Sequence, residues 1–175
     1  MGAISIGRSQ TVELVDKMGN VMSKLESRHL CSYSATLEPV QHDAGTGYFG
    51  RRMIAVVTGG AFNGPRLKGK VLHGGGDWAT IEEARDVLRL DARVTWQTDD
   101  GAKIYVSYRG ILRPLSQARS QAARDPDAGA ASFYFRTTPI FETGDARYLW
   151  LNDIVTVATG DVMRGGVKYE VFEVL

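Results

Sequence analysis

Three consecutive glycines, Gly74-Gly75-Gly76, lead directly into Asp77 and Trp78. Glycine allows backbone turns closed to other residues, so such a run can aim a carboxylate into the mouth of a cavity. A poorly solvated Asp beside an indole gains proton affinity and becomes an acid or base usable near neutral pH. The competing reading makes Asp77 a cap for a helix starting near Thr80, or a buttress of the turn. Arg136 and Glu142 flank Pro139 in FRTTPIFE. There the guanidinium suits a developing enolate or oxyanion, and the carboxylate suits proton movement. The same two residues also fit an ion pair holding two strand ends.

Asp91 and Arg93 stand two apart on one strand face, and the choice lies between a ligand contact and a structural ion pair. His73, beside the glycine run, is a candidate acid or base; His29 and His42 lie away from that run. Three scattered histidines without HxH or HExxH spacing predict no metal site. GGAFNGPRLKG lacks the phosphate-loop and dinucleotide fingerprints, and no serine sits in a G-x-S-x-G elbow. Cys31, the single cysteine, reads as a small packed hydrophobe and excludes an intramolecular disulfide.

The elements that would position these groups are β-strands. Runs at 30–40, 51–58, 70–74, 92–98, 103–112, 132–137, 148–159 and 167–175 are rich in Val, Ile, Thr and aromatics and are bounded by turn residues. Asp99-Asp100-Gly101 predicts a hairpin and Asn63-Gly64-Pro65 a turn. About eight strands with short connections predict an antiparallel sheet closed into a barrel or folded into a sandwich. Helices are expected over 80–88, from Thr80 and Glu83 at capping-box spacing, over 114–124, and over 10–27.

Strand side chains alternate between faces. Asp91, Arg93 and Thr95 oppose Ala92, Val94 and Trp96; Tyr148, Trp150 and Asn152 oppose Leu149 and Leu151. The polar–aromatic face either meets water or lines a ligand cavity inside a barrel. Solvent faces seldom spend a Trp, so the expectation is the cavity, with Tyr148, Trp150 and Asn152 facing the ligand.

The chain has 175 residues, one domain's worth, with 21 Lys+Arg against 20 Asp+Glu. A formal charge of +1 argues against nucleic-acid or acidic-membrane binding, which need a basic surplus. No apolar run reaches the ~18 residues of a membrane span, and the N-terminus lacks a signal-peptide pattern. The expectation is a cytoplasmic protein.

GGAFNGPRLKGKVLHGGGDW (59–78), LDARVTWQTDDGAKIYV (90–106), YFRTTPIFETG (134–144) and YLWLN (148–152) resemble, in order and spacing, the motifs of the domain of unknown function 3237 family (uncharacterised protein family 0311). The resemblance runs from about residue 30 to the C-terminus and leaves 1–29 as an N-terminal extension. It implies an all-β, single-domain closed antiparallel barrel that self-associates as a homo-oligomer. It also implies isomerase, cyclase or lyase activity, without a cofactor, on a small oxygen-bearing aromatic or polycyclic molecule. In that setting Asp77 is the acid/base and Arg136 steadies oxyanion charge, with Glu142 or His73 assisting. Trp78, Tyr148, Trp150, Asn152, Asp91 and Arg93 would contact the substrate. The chain departs from the family pattern at His73, where proline is usual, and in the TIEEARDVL stretch. A non-catalytic barrel carrying a hydrophobic ligand and a purely structural, self-associating barrel are the alternatives.

Overall fold

The computed structural model describes residues 24–123 and 133–175. Ten strands follow one another: β1 (Ser27–Leu37), β2 (His42–Gly47), β3 (Gly50–Asn63), β4 (Lys68–Val71), β5 (Gly75–Glu82), β6 (Val87–Thr98), β7 (Lys103–Arg113), β8 (Tyr134–Glu142), β9 (Thr156–Met163) and β10 (Gly166–Val174). One α-helix, α1 (Leu115–Ala122), and two short 3-10 segments, Glu83–Arg85 and Leu149–Asp153, complete the described chain.

All strand pairs are antiparallel, in the order β1-β10-β9-β8-β7-β6-β4-β3 with β3 returning to β1, so the sheet closes into a barrel. The wall has eight positions. β4 and β5 share one of them, because both pair with β3 and β6. Their shared line is broken by a bulge at Leu72–Gly74, across which Leu72 N–H reaches Thr95 O (2.8 Å) and Gly74 N–H reaches Val57 O (3.3 Å). The triple glycine therefore carries a strand around a kink, as bulges do at barrel corners. β2 lies outside the closed path, paired with the first half of β3.

The seam between β1 and β3 sets the closure. Gly60 sits there with φ +142°, and a Cβ at this position would stand 2.0 Å from Ser34 O. Inside the barrel, Gly160 of β9 makes room for Phe135, since an added Cβ would lie 2.5 Å from that ring. The core gathers Leu30, Phe62, Val94, Trp96, Ile104, Val106 and Leu151 around a group of tyrosines.

Several sequence expectations are corrected. The stretch 80–88 is a β-hairpin, not a helix: Thr80 pairs with Arg89 and Ile81 with Leu88 across a 3-10 turn. Strand pairing and the burial of Ile81 and Val87 prevail over the capping-box spacing. Residues 148–153 are not a strand; Leu149–Asp153 form a 3-10 turn that leads into β9. The helix expected over 10–27 lies outside the described residues as far as position 23, and Ser27 already opens β1. The helix expected after Pro114 is present as α1. Its first amides are capped from the β5–β6 turn, where Asp86, at φ +53°, takes Ser116 N–H on its carboxylate (2.9 Å) and Leu115 N–H on its carbonyl (2.9 Å). The Asp99–Gly101 hairpin forms as expected, with Gly101 at φ +94° and Thr98 Oγ1 accepting Ala102 N–H at 2.8 Å.

Gly60→Ala is expected to destabilise the barrel by about 1–3 kcal/mol, through backbone strain and overpacking at the closing seam. The measurement is the urea midpoint; an unchanged midpoint would show that the seam yields.

Candidate functional site

On β6, Leu90, Ala92, Val94 and Trp96 are buried, whereas Arg93 is exposed and Asp91 half-buried. On β7, Ile104, Val106 and Tyr108 are buried, while Lys103, Tyr105 and Arg109 face water. The face expected to line a cavity is therefore the outside of the barrel, and the opposite face is its interior. The physical reason is closure: eight wall positions leave room for packed side chains, and large apolar groups lose more by staying in water than arginines and lysines do.

Asp77 does turn inward. It pairs with Ala55 on β3 and Ala92 on β6, both on the interior face, and Ala92 in turn pairs with Tyr108. Its Oδ1 accepts the Asp91 N–H at 2.8 Å. That bond fills a lapse in the β5–β6 ladder, which is paired at Asp77–Ala92 and resumes at Thr80–Arg89. Desolvation raises the Asp77 pKa from 3.8 to about 6; the Asp91 N–H opposes the rise, the Asp91 charge adds to it, and Arg52 opposes it. The indole of Trp78 is not the cause. Trp78 points outward, 37% exposed, with the Arg93 guanidinium 5.6 Å from its ring centroid.

Around this carboxyl stand residues the sequence reading passed over. Tyr33, Tyr108 and Tyr169 form a ring cluster, with Tyr33 stacked on Tyr169 (centroids 5.3 Å) and Tyr108 edge-on to Tyr169 (5.6 Å). The Tyr33 and Tyr108 hydroxyls are 3.5 Å apart. Burial lifts all three phenol pKa values well above 10, and the charge of Asp77 reinforces the rise in each. The phenols are thus held neutral as hydrogen-bond donors. Tyr33, Trp96, Tyr108, Thr137 and Tyr169 border an enclosed void of about 10 Å³. Thr137 Oγ1 has no hydrogen-bond partner, and the Trp96 indole N–H points toward the Tyr33 hydroxyl without a well-formed bond. Two unmet polar groups at one void are the mark of a place where a polar atom belongs. One signal for this cluster was present in the sequence: Tyr33, Tyr108 and Tyr169 each share an alternation face with aliphatic residues of their strand.

The other candidates lie elsewhere. Arg136 is exposed on the outer face of β8, its Nη1 donating to Phe135 O at 2.8 Å, so the barrel wall separates it from Asp77. Glu142 is exposed on the same face and makes no ion pair with Arg136 among the described residues. His73 is exposed on the bulge between β4 and β5. Asp91 and Arg93 form an outer ion pair at 3.1 Å.

Tyr148, Trp150 and Asn152 gather at one end of the barrel rather than in its lumen. Tyr148 donates to Asp100 at 3.0 Å, and Trp150 lies under the Arg66 guanidinium at 3.8 Å. Asn152 clamps Thr143 through Thr143 N–H (2.9 Å) and O (3.0 Å). Cys31 is buried, its thiol pushed up to about 12 by desolvation and then by Glu170. No three His, Cys, Asp or Glu side chains among the described residues form a metal-holding group, and no described helix is long and apolar enough to cross a membrane.

The Asp77 shift has a consequence for stability. Between pH 4 and about 6 the folded chain holds a proton that the unfolded chain has lost, so this group's contribution falls as pH rises and levels off above pH 6. The full difference is about 3 kcal/mol. Asp77→Asn keeps an acceptor for Asp91 N–H without the charge. It is expected to match the wild type near pH 4 and to be more stable by up to about 3 kcal/mol at pH 8, as read from urea melts at the two pH values.

A profile of the family described as protein of unknown function (DUF3237) matches residues 25–174. A UPF0311 protein of Bradyrhizobium diazoefficiens is 31% identical over 151 residues, covering 86% of this chain and 97% of its own. The crystal structure of a conserved protein of unknown function from Rhodopseudomonas palustris superposes with a TM-score of 0.78 at 32% identity, over 88% of this chain and 100% of that one. A structure described as an enzyme from Penicillium herquei shares the fold, with a TM-score of 0.64 at 23% identity over 90% of this chain and 99% of that one. With nearly all of the described barrel matched, the chain belongs to the DUF3237 family.

Proposed function

We propose that the barrel is a cofactor-independent enzyme that moves a proton on a small carbonyl compound, leading to isomerisation, cyclisation or elimination. The observation that carries this reading is the inward, half-buried Asp77 carboxyl, with a pKa near 6, whose charge is felt by three neutral buried tyrosines. Above pH 6 the carboxylate takes a proton from the carbon next to the substrate carbonyl, and the electron pair moves onto the carbonyl oxygen. Hydroxyl donors of the tyrosine group, with the Trp96 N–H, hold that oxyanion. Returning the proton to a different carbon gives isomerisation, and loss of a leaving group gives elimination; attack of the enolate carbon on a second carbonyl of the same molecule gives cyclisation, the new alkoxide taking the proton back from Asp77. The oxyanion role assigned from sequence to Arg136 thereby passes to the phenols inside. The Penicillium relative described as an enzyme supports catalysis on this fold.

Access is the demanding step, because the void of about 10 Å³ holds one water at most. β8 and β9 are laddered only at Arg136–Thr159 and Thr137–Ala158, and Thr137 borders the void. We place substrate access at this short seam. The tight packing favours a second reading, a barrel whose polar core is structural and turns nothing over.

Two probes separate these readings: isomerisation of cyclohex-3-enone to its conjugated isomer, followed by ultraviolet absorbance, and deuterium uptake by 2-tetralone in D₂O, followed by proton NMR. The expected result is turnover whose kcat/KM rises with pH through about 6 and then levels off. Asp77→Asn should lower it by about 10²–10⁴-fold. Equal rates in wild type and variant would remove Asp77 from the mechanism, and no turnover of either probe would favour the structural core.

A further inference from the structure

The outer wall carries a second feature, which lies over the same β8–β9 seam but is built from outer-face residues rather than from Asp77. A groove of about 780 Å³ runs across the outside of β6 to β10, within the range of sites for drug-sized ligands. Its apolar surface includes Ile111, Val157 and Phe172, and its polar groups include Arg109, Arg136 and Thr138 together with Arg89, which is already paired. The floor is shaped by a close approach of strands: a Cβ on Gly110 would stand 2.5 Å from Arg136 O.

The charges here are not spent on one another. Asp91 stands opposite Arg109 across the β6–β7 ladder, but its carboxylate is taken by Arg93 at 3.1 Å. Glu82 engages Arg85 and Arg89. Arg109 and Arg136 pair with no carboxylate among the described residues. Arg113 and Arg136 both lie against the Tyr134 ring, 5.2 and 5.1 Å from its centroid. That contact orders the Arg136 fork at the groove edge and leaves donors unused. Unpaired guanidiniums beside an apolar trough match an oxyanion on an apolar body, because a bidentate fork recognises a carboxylate or phosphate and the trough takes the rest.

We infer that this groove binds an amphiphilic organic anion, its carboxylate or phosphate held by Arg109 and Arg136 and its apolar part lying along Ile111, Val157 and Phe172. Isothermal titration of the full-length protein with decanoate, decyl phosphate, decanol and inorganic phosphate tests it. The anionic amphiphiles should bind at least about tenfold tighter than either decanol or inorganic phosphate. The tighter of the two identifies the headgroup.

Arg109→Gln with Arg136→Gln should weaken them by about tenfold or more while leaving decanol unchanged. If the double variant fails to fold, each single variant gives the same reading at smaller amplitude. Unchanged anion affinity in the variants overturns the proposal, as does decanol binding as tightly as decanoate. Loss of a wild-type oligomer in the variants by sedimentation velocity, without anion binding by the wild type, would instead make this face a contact between copies of the chain.

Discussion

The pairing of β1 with β3 is the constraint from which the rest follows. It turns a sheet with two edges into a wall without them, and every inward side chain must then share one small space. Eight wall positions enclose too little volume for an open lumen once Trp96, Phe62, Phe135 and three tyrosines are inside. Positions without a side chain, such as Gly60 and Gly160, are where the wall and its contents come closest. Polar groups admitted to such a space must find partners or be left exposed to a low-dielectric field.

That field gives the interior its chemistry. Burial raises the proton affinity of one inward carboxyl and holds three phenols neutral. The same burial that packs the barrel tunes these groups, so packing and reactivity cannot be varied separately at Tyr33, Tyr108 or Tyr169. Outside the wall the situation reverses. Charges there are screened by water, and only arginines without a near carboxylate keep unshared donors for a ligand.

Much of this was legible in the sequence. Alternation on 91–96 and 103–109 sorted the residues correctly into two faces, and the Asp-Gly turn and the helix after Pro114 were readable from local chemistry. What alternation does not say is which face closes inward. A face of Ala92, Val94 and Trp96 and one of Asp91, Arg93 and Thr95 look equally regular until the strand count and ring sizes fix the internal volume. Asp77 stood out because glycines precede it and Trp78 follows, and its raised proton affinity comes from burial in the barrel and not from Trp78. The tyrosines were missed because each stands singly on its strand, 33, 108 and 169 being far apart in sequence. Residues 148–152 misled because YLWLN fits a strand, whereas burial of Leu151 under the barrel end is served equally by a 3-10 turn.

Asp86 ties two distant pieces of chain together. Its left-handed backbone ends the turn between β5 and β6, while its carboxylate and carbonyl accept the first amides of α1, which buries Leu115 and Ala118 against the barrel. The helix has no cap from its own sequence, for Pro114 makes no side-chain hydrogen bond there. Fraying of that hairpin would therefore unseat the helix as well, making the two a single cooperative opening unit whose amides exchange with solvent together.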